Sequence, residues 1–443
     1  MEGNCAGPIS GDRHYTLVCS LCGKRQDDDG LILDCPADHR PSLLRSEYQD
    51  SPFTPRPGSA GVFRYRDWLP VIRTCGGSGR TVVYRSAALG QALGLPNLWI
   101  AFNGYWPERG ACLETGTFKD LEADTVLGRL PERPVVLTVA SSGNTGAAFA
   151  WACSREGTPC LLIIPGNGLS RFRFRAPLQP WVSLVCIEDG DYPDAITLAA
   201  AVSRRPPFQA EGGVKNVGRR DGLATVLLSA FEEMGCLPTH YFQAAGSGTG
   251  AIAVLEAARR IGPSLGEGVS PPRLMLCQNR PFTPIYDAWH GARDGNGQHD
   301  TTERYRAAIA HVYADELTNW TPPYDINGGV YDSLVGSRGD VLTADNRAIR
   351  TAMDMFLGLE GIDIEPAAGV AVACLRDAVS ARQVGKESVI LLNVTGGGRA
   401  RLSQDKSLVS VSPQLRLPRR LLGEEATLRR IRALPAALAS QRS

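Results

Sequence analysis

PVVLTVASSGNTGAAFAWACSREGTPCLLIIP, Pro134 to Pro165, decides the class of fold. It begins with a continuous apolar run of strand length. The run empties into SSGNTG, Ser141 to Gly146, and AAFAWACSREG then continues at helical length. CLLIIP follows as a second strand. Strand, glycine turn, helix and strand in that order make a parallel α/β unit. Such a turn aims backbone N–H groups and the positive end of a helix dipole at an anion. A carboxylate is the natural guest, received at Gly143 with Asn144 and the hydroxyls of Ser142 and Thr145 as directional donors.

Working outward, the same device recurs twice. THYFQAA leads into Gly246, Ser247, Gly248, Thr249 and Gly250, and AIAVLEAARRI continues as a helix. Small residues there let the backbone close around a phosphate. SVILLNVTGGG, Ser388 to Gly398, is a buried strand ending in Thr395 and three glycines. Neither GxGxxG nor GxxxxGK[ST] is satisfied, so dinucleotide and P-loop readings fall away. Upstream lies LETGTFKD, Leu113 to Asp120, where a glycine-bearing turn runs into Lys119 and the helical stretch DLEADTVLGRL. An ammonium at the first turn of a helix holds its proton less firmly, because the dipole is positive there. A lysine of that kind is a nucleophile toward carbonyl carbon.

The 443 residues suffice for two or three domains, and 43% hydrophobic with 21% charged residues is the composition of a globular protein. A net charge of +1 gives no field to steer the chain to nucleic acid or membrane. The N-terminus has no apolar core of signal-peptide length, and no run spans a bilayer. Twelve cysteines without a secretion signal read as reduced thiols or metal ligands, and the expected location is the cytoplasm. Cys19 and Cys22 form a CxxC knuckle followed by Cys35 and His39 in CPADH. Four such ligands suit a structural zinc ion, with Cys5 as a substitute; the alternative is an inherited knuckle that no longer binds metal.

The lysine and the three turns supply the parts that pyridoxal phosphate chemistry needs. Lys119 meets the aldehyde, Gly246 to Gly250 take the phosphate, Asn144 faces the ring O3′, and Thr395 faces the ring nitrogen. A hydroxyl at that nitrogen cannot keep the pyridine protonated as an aspartate would. The milder electron sink suits loss of an α-proton with expulsion of a β-substituent.

These motifs, with EGIDIEPAAGVAVA (Glu360 to Ala373), resemble the fold-type II pyridoxal phosphate enzymes. The knuckle and the FRYRDWLP entry look specifically like the threonine synthase branch. The chain departs from that branch's usual NPTGSFKDR by carrying LETGTFKDLEA, and it adds AEGGVKNVGRRDG (Ala210 to Gly222) and LCQNRPFTPIYDAW (Leu276 to Trp289). The resemblance implies two parallel-sheet α/β domains around a cofactor cleft, like the tryptophan synthase β fold, behind a small zinc-ribbon-like segment at 1–48. It assigns 49–130 and 215–405 to a large cofactor-binding domain and 131–214 to a small mobile one. Residues 406–443 remain as an Arg-rich helical extension with a solvated face. It further implies that Lys119 is both the cofactor-bonding lysine and the base for the α-proton. The implied partners are small molecules, O-phospho-L-serine and sulfite, and the implied assembly is a homo-oligomer. Lys215, Arg219, Arg220 and Arg280 are the candidate anion receptors. Phosphohomoserine as substrate, another nucleophile, and a non-catalytic binding relic of the fold stay open as alternatives.

Overall fold

Largely apolar runs such as Cys160–Pro165, Val182–Ile187 and Ile390–Val394 are buried at every residue. Strands covered on both faces are the mark of parallel sheets flanked by helices. The computed structural model describes residues 13–49, 52–59, 61–141, 143–266, 268–294 and 301–434, and its strands assemble into two such sheets.

The larger sheet has six strands in the order Asp340–Ala344, Arg273–Asn279, His240–Ala244, Ile390–Val394, Leu98–Phe102 and Val82–Arg85. All neighbours run parallel except the last pair. The smaller sheet has five parallel strands in the order Phe208–Ala210, Val136–Ala140, Cys160–Pro165, Val182–Ile187 and Leu415–Leu417. Leu161, Ile163, Val185 and Ile187 of this sheet are fully buried against Ala195, Leu198 and Val202 of the helix Tyr192–Ser203. Burial of side chains of that size stabilises by roughly 1.5–3 kcal/mol each.

The last strand of the small sheet comes from the tail that was expected to be a solvated helical extension. Leu415 pairs with Val185 and Leu417 with Ile187, and the helix Glu425–Ala433 buries Ile431 in the same cluster. The alternation in LRLP is too short to stand out in an arginine-rich stretch. A third, antiparallel sheet of Arg25–Gln26, Tyr15–Cys19 and Leu44–Tyr48 forms the N-terminal knuckle. No described helix is long and apolar enough to cross a membrane.

The helix Lys119–Arg129 sits between the sheets and packs on the helices Val217–Met234 and Asn144–Glu156. Nearly all its side chains are buried, including acidic ones. Glycines make this packing possible: a Cβ at Gly222 would lie 2.5 Å from the Leu121 carbonyl oxygen.

Candidate active site

The lysine turn is built by its own aspartate. Asp120 accepts the backbone N–H of Thr115 at 2.9 Å and its hydroxyl at 2.6 Å, folding the loop back over the helix start. Burial pushes the Asp120 carboxyl up to about 7, against those hydrogen bonds. Phe118 N–H donates to the Thr395 carbonyl at 3.0 Å, and Thr117 bridges to Gly396, so the lysine turn and the TGGG loop are one structure.

Lys119 opens into a cavity of about 340 Å³ between the two sheets. Gly143, Asn144, Thr145, Gly246 to Gly250 and Thr395 line the same cavity, as do Lys215 and Arg219. Burial lowers the proton affinity of Lys119 first of all; Glu122 opposes the shift and Arg219 adds to it. The Lys119 Nζ lies 3.3 Å from Glu122 Oε2. Glu122 Oε1 is 3.2 Å from Arg219 Nη2 and accepts from the Thr145 hydroxyl at 3.1 Å. Arg219 Nε meets Glu211 Oε1 at 3.0 Å.

The 246–250 turn has the form of an anion cradle. Gly248 sits at φ +75°, where a Cβ would be strained and would lie 2.5 Å from Val330 Cγ2. A Cβ at Gly250 would lie 2.5 Å from the Gln243 amide. The helix Thr249–Ile261 begins there, at the cavity wall, and so brings the positive end of its dipole to the cavity. At the other turn, Ser141 Oγ accepts from the N–H groups of Gly143 (3.1 Å) and Gly146 (2.8 Å), holding the loop open. Asn144 Nδ2 donates to Glu365 Oε2 at 3.0 Å, and Arg399 Nη2 donates to Asn144 Oδ1 at 3.1 Å, which fixes the amide orientation.

Residues 75–396 match the family described as pyridoxal-phosphate dependent enzyme. The chain is 43% identical over 406 residues to the cysteate synthase of Methanothrix thermoacetophila, covering 90% of this chain and 95% of that protein. It is 39% identical to the cysteate synthase of Methanosarcina acetivorans, covering 90% and 96%. This chain belongs to the cysteate synthase family of pyridoxal-phosphate dependent enzymes. Among solved structures, maize serine racemase superposes with a TM-score of 0.55 at 18% identity, over 73% of this chain and 91% of that one. Diaminopropionate ammonia lyase of Escherichia coli gives 0.54 at 16% identity, over 80% and 89%. Both show the fold that the family name implies.

The cavity of this cysteate synthase family member fits its cofactor. It offers a buried lysine of lowered proton affinity, a glycine cradle at a helix start, and a hydroxyl and an oriented amide on the intervening walls. Of the four expected anion receptors, only Lys215 and Arg219 reach it. Arg220, one residue further along a helix, points about 100° away. It is fully buried, 3.1 Å from Glu256 Oε2, and donates to the carbonyls of Val214 and Leu44. Arg280 is exposed, 3.7 Å from Asp345, in a separate surface cavity at the sheet's far edge. Ser142 and Cys5 lie outside the described residues.

Five cavity-side groups were not expected from sequence: Glu122, Glu211, Glu316, Glu365 and Arg399. Glu122 had a signal, since a residue three after Lys119 on a helix shares its face. Glu365 stands in the quoted EGIDIEP motif. Glu316 is half-buried on the cavity wall; burial and then Glu365 push its carboxyl up to about 8.

The knuckle ligands converge. The ligand atoms of Cys19, Cys22, Cys35 and His39 all lie within 4.8 Å of one another. This centre is far from Lys119 in sequence but borders the cavity rim. Asp34 Oδ1 is 2.6 Å from Lys215 Nζ, and Leu33 packs on Gly212.

Proposed function

We propose that the protein replaces the phosphate of O-phospho-L-serine with sulfite, giving L-cysteate and phosphate. The observation that carries this reading is the gathering of Lys119, Arg219 and Lys215 around one cavity, beside a helix-start turn suited to an amino acid carboxylate. The shared name of the curated relatives supports it.

In this reading Gly246 to Gly250 hold the cofactor phosphate, Asn144 faces the ring O3′ and Thr395 faces the ring nitrogen. Pyridoxal phosphate supplies, when bound, an electron sink for the pair left at the substrate α-carbon. The turn at Gly143 and Thr145, with Ser142, binds the substrate carboxylate. Lys119 Nζ takes the α-proton and returns it to the same carbon. At the β-carbon the C–O bond to phosphate breaks and a C–S bond to sulfite forms. Arg219 and Lys215 supply the positive charge that draws the two anions to the cavity.

Cys19, Cys22, Cys35 and His39 are read as a structural zinc site. Cys22 Sγ and Cys35 Sγ lie 3.8 Å apart. That is the edge of a tetrahedron with zinc–sulfur bonds of about 2.3 Å. His39 Nδ1 is held by the Arg40 carbonyl at 2.7 Å, which leaves Nε2 to face Cys19 Sγ at 3.4 Å. The set is complete without a vacant position for substrate.

The test is product analysis of the purified protein with phosphoserine, acetylserine and phosphohomoserine, each paired with sulfite, sulfide or water. Cysteate and phosphate in equal amounts from phosphoserine and sulfite are expected. Threonine from phosphohomoserine, with phosphoserine untouched, would replace this reading by the threonine synthase reaction.

A further inference from the structure

Two stretches mark the chain off in sequence, LETGTFKDLEA and AEGGVKNVGRRDG. The structure joins them in a buried ion pair, Glu122 Oε1 to Arg219 Nη2 at 3.2 Å. The Glu122 side chain is fully buried. Its second oxygen faces Lys119 Nζ, and its first also takes the Thr145 hydroxyl at the carboxylate-binding turn. One carboxylate therefore touches the reactive lysine, the substrate-side turn and the anion-receiving arginine. Resting on the functional reading above, we propose that Glu122 is a positioning residue that couples Lys119 to Arg219.

The charges around the lysine come from four elements. Glu122 lies on its own helix, Arg219 on the helix Val217–Met234, Glu211 just after the strand Phe208–Ala210, and Tyr192 at the start of the helix Tyr192–Ser203. With Tyr192 neutral, Lys119, Arg219, Glu122 and Glu211 sum to zero when all are ionised. Arg219 Nε also lies 3.0 Å from Glu211 Oε1, so the guanidinium faces both carboxylates. Loss of Glu122 would leave two cations facing each other in a buried space, which penalises the lysine's charged form. It would also free the lysine and Thr145 to drift apart, and small misplacements of reacting groups cost rate steeply.

The experiment is a pH titration of the visible absorbance of the cofactor-loaded enzyme, in wild type, Glu122→Gln, Glu122→Asp and Arg219→Gln. Glu122→Gln should move the midpoint down by roughly one pH unit or more, and Arg219→Gln should move it up. Glu122→Gln should also lower kcat by about tenfold or more, with a smaller change in KM. Glu122→Asp should recover part of both effects. An unmoved midpoint in Glu122→Gln overturns the proposal, including when that variant is merely less heat-stable. Should Glu122→Gln not fold, a midpoint in Arg219→Gln that fails to rise overturns it instead. The titration uses no substrate, so a protein that makes no cysteate yet shows these shifts refutes the assigned reaction and not the coupling.

Discussion

Arg129 and Asp28 form a two-pronged ion pair in the interior, Nε to Oδ2 at 2.8 Å and Nη2 to Oδ1 at 2.7 Å. Both side chains are essentially without solvent contact. The arginine closes the helix that Lys119 opens, and its charge suits the negative end of that helix. It also donates to the Ile32 carbonyl and to Asn216 Oδ1. The N-terminal knuckle is therefore fastened to the far end of the lysine helix.

Asp28→Ala should cost about 3–5 kcal/mol of stability, because it strands a buried guanidinium. Burial raises the Asp28 carboxyl, but Arg129 and then Tyr15 overcome this and hold it below its ordinary value. The stabilisation is therefore present near neutrality and lost as pH falls through that lowered value. Urea unfolding of the variant checks the first statement; a loss below about 1 kcal/mol would contradict the burial argument.

Asp120 gives the opposite pH dependence. Its folded-state value of about 7 lies above the ordinary carboxylate value. The folded protein thus binds the proton more tightly than the unfolded chain, and Asp120's contribution is lost as pH rises from about 4 to about 7. The stability of wild type relative to Asp120→Asn should fall across that window. Urea midpoints measured from pH 4.5 to 8 test it, and a difference that stays flat would be incompatible with a buried, mostly protonated carboxyl.

Gly248→Ala should weaken cofactor binding by roughly tenfold or more. The left-handed conformation alone costs a non-glycine residue about 1–2 kcal/mol, and the new methyl meets Val330. Titrating the apo-protein with pyridoxal phosphate and following absorbance measures the change. Equal affinity in the two proteins would remove this turn from the phosphate site.

The purified protein should be yellow, and Lys119→Ala should lose the absorbance of lysine-bound cofactor. Borohydride reduction followed by peptide mapping should find the cofactor fixed on Lys119. A label on any other lysine would displace Lys119 from the centre of the site.

Zinc, at about one equivalent per chain, should disappear in a Cys19→Ser, Cys22→Ser double variant. Because Asp34 beside Cys35 holds Lys215, the variant should show a raised KM for the anionic substrates and a kcat changed much less. Metal analysis with steady-state kinetics decides. Complete loss of turnover in a folded variant would give the centre a part in the chemistry.

Much of the fold was legible because parallel strands announce themselves as unbroken apolar runs. Val136–Ala140 and Cys160–Pro165 stand where such runs predict. The turns after them identified Lys119, Asn144, Thr395 and residues 246–250, which one cavity gathers. Charge partners were less legible. Glu122 and Arg219 lie 97 positions apart, and no local pattern says that helices 119–129 and 217–234 will cross there. Adjacent arginines looked alike in the string GRRDG, yet helical rotation sends one to the cavity and the other into the core.

The strand Leu415–Leu417 has a consequence for biogenesis. Chains emerge from the ribosome N-terminus first, so the outer edge of Val182–Ile187 forms well over two hundred residues before its neighbour is synthesised. Through that interval the nascent small sheet carries an uncapped, largely apolar border, the kind that recruits foreign strands. Truncation just before Pro413 should therefore yield a chain that aggregates during expression while retaining every residue of the cavity.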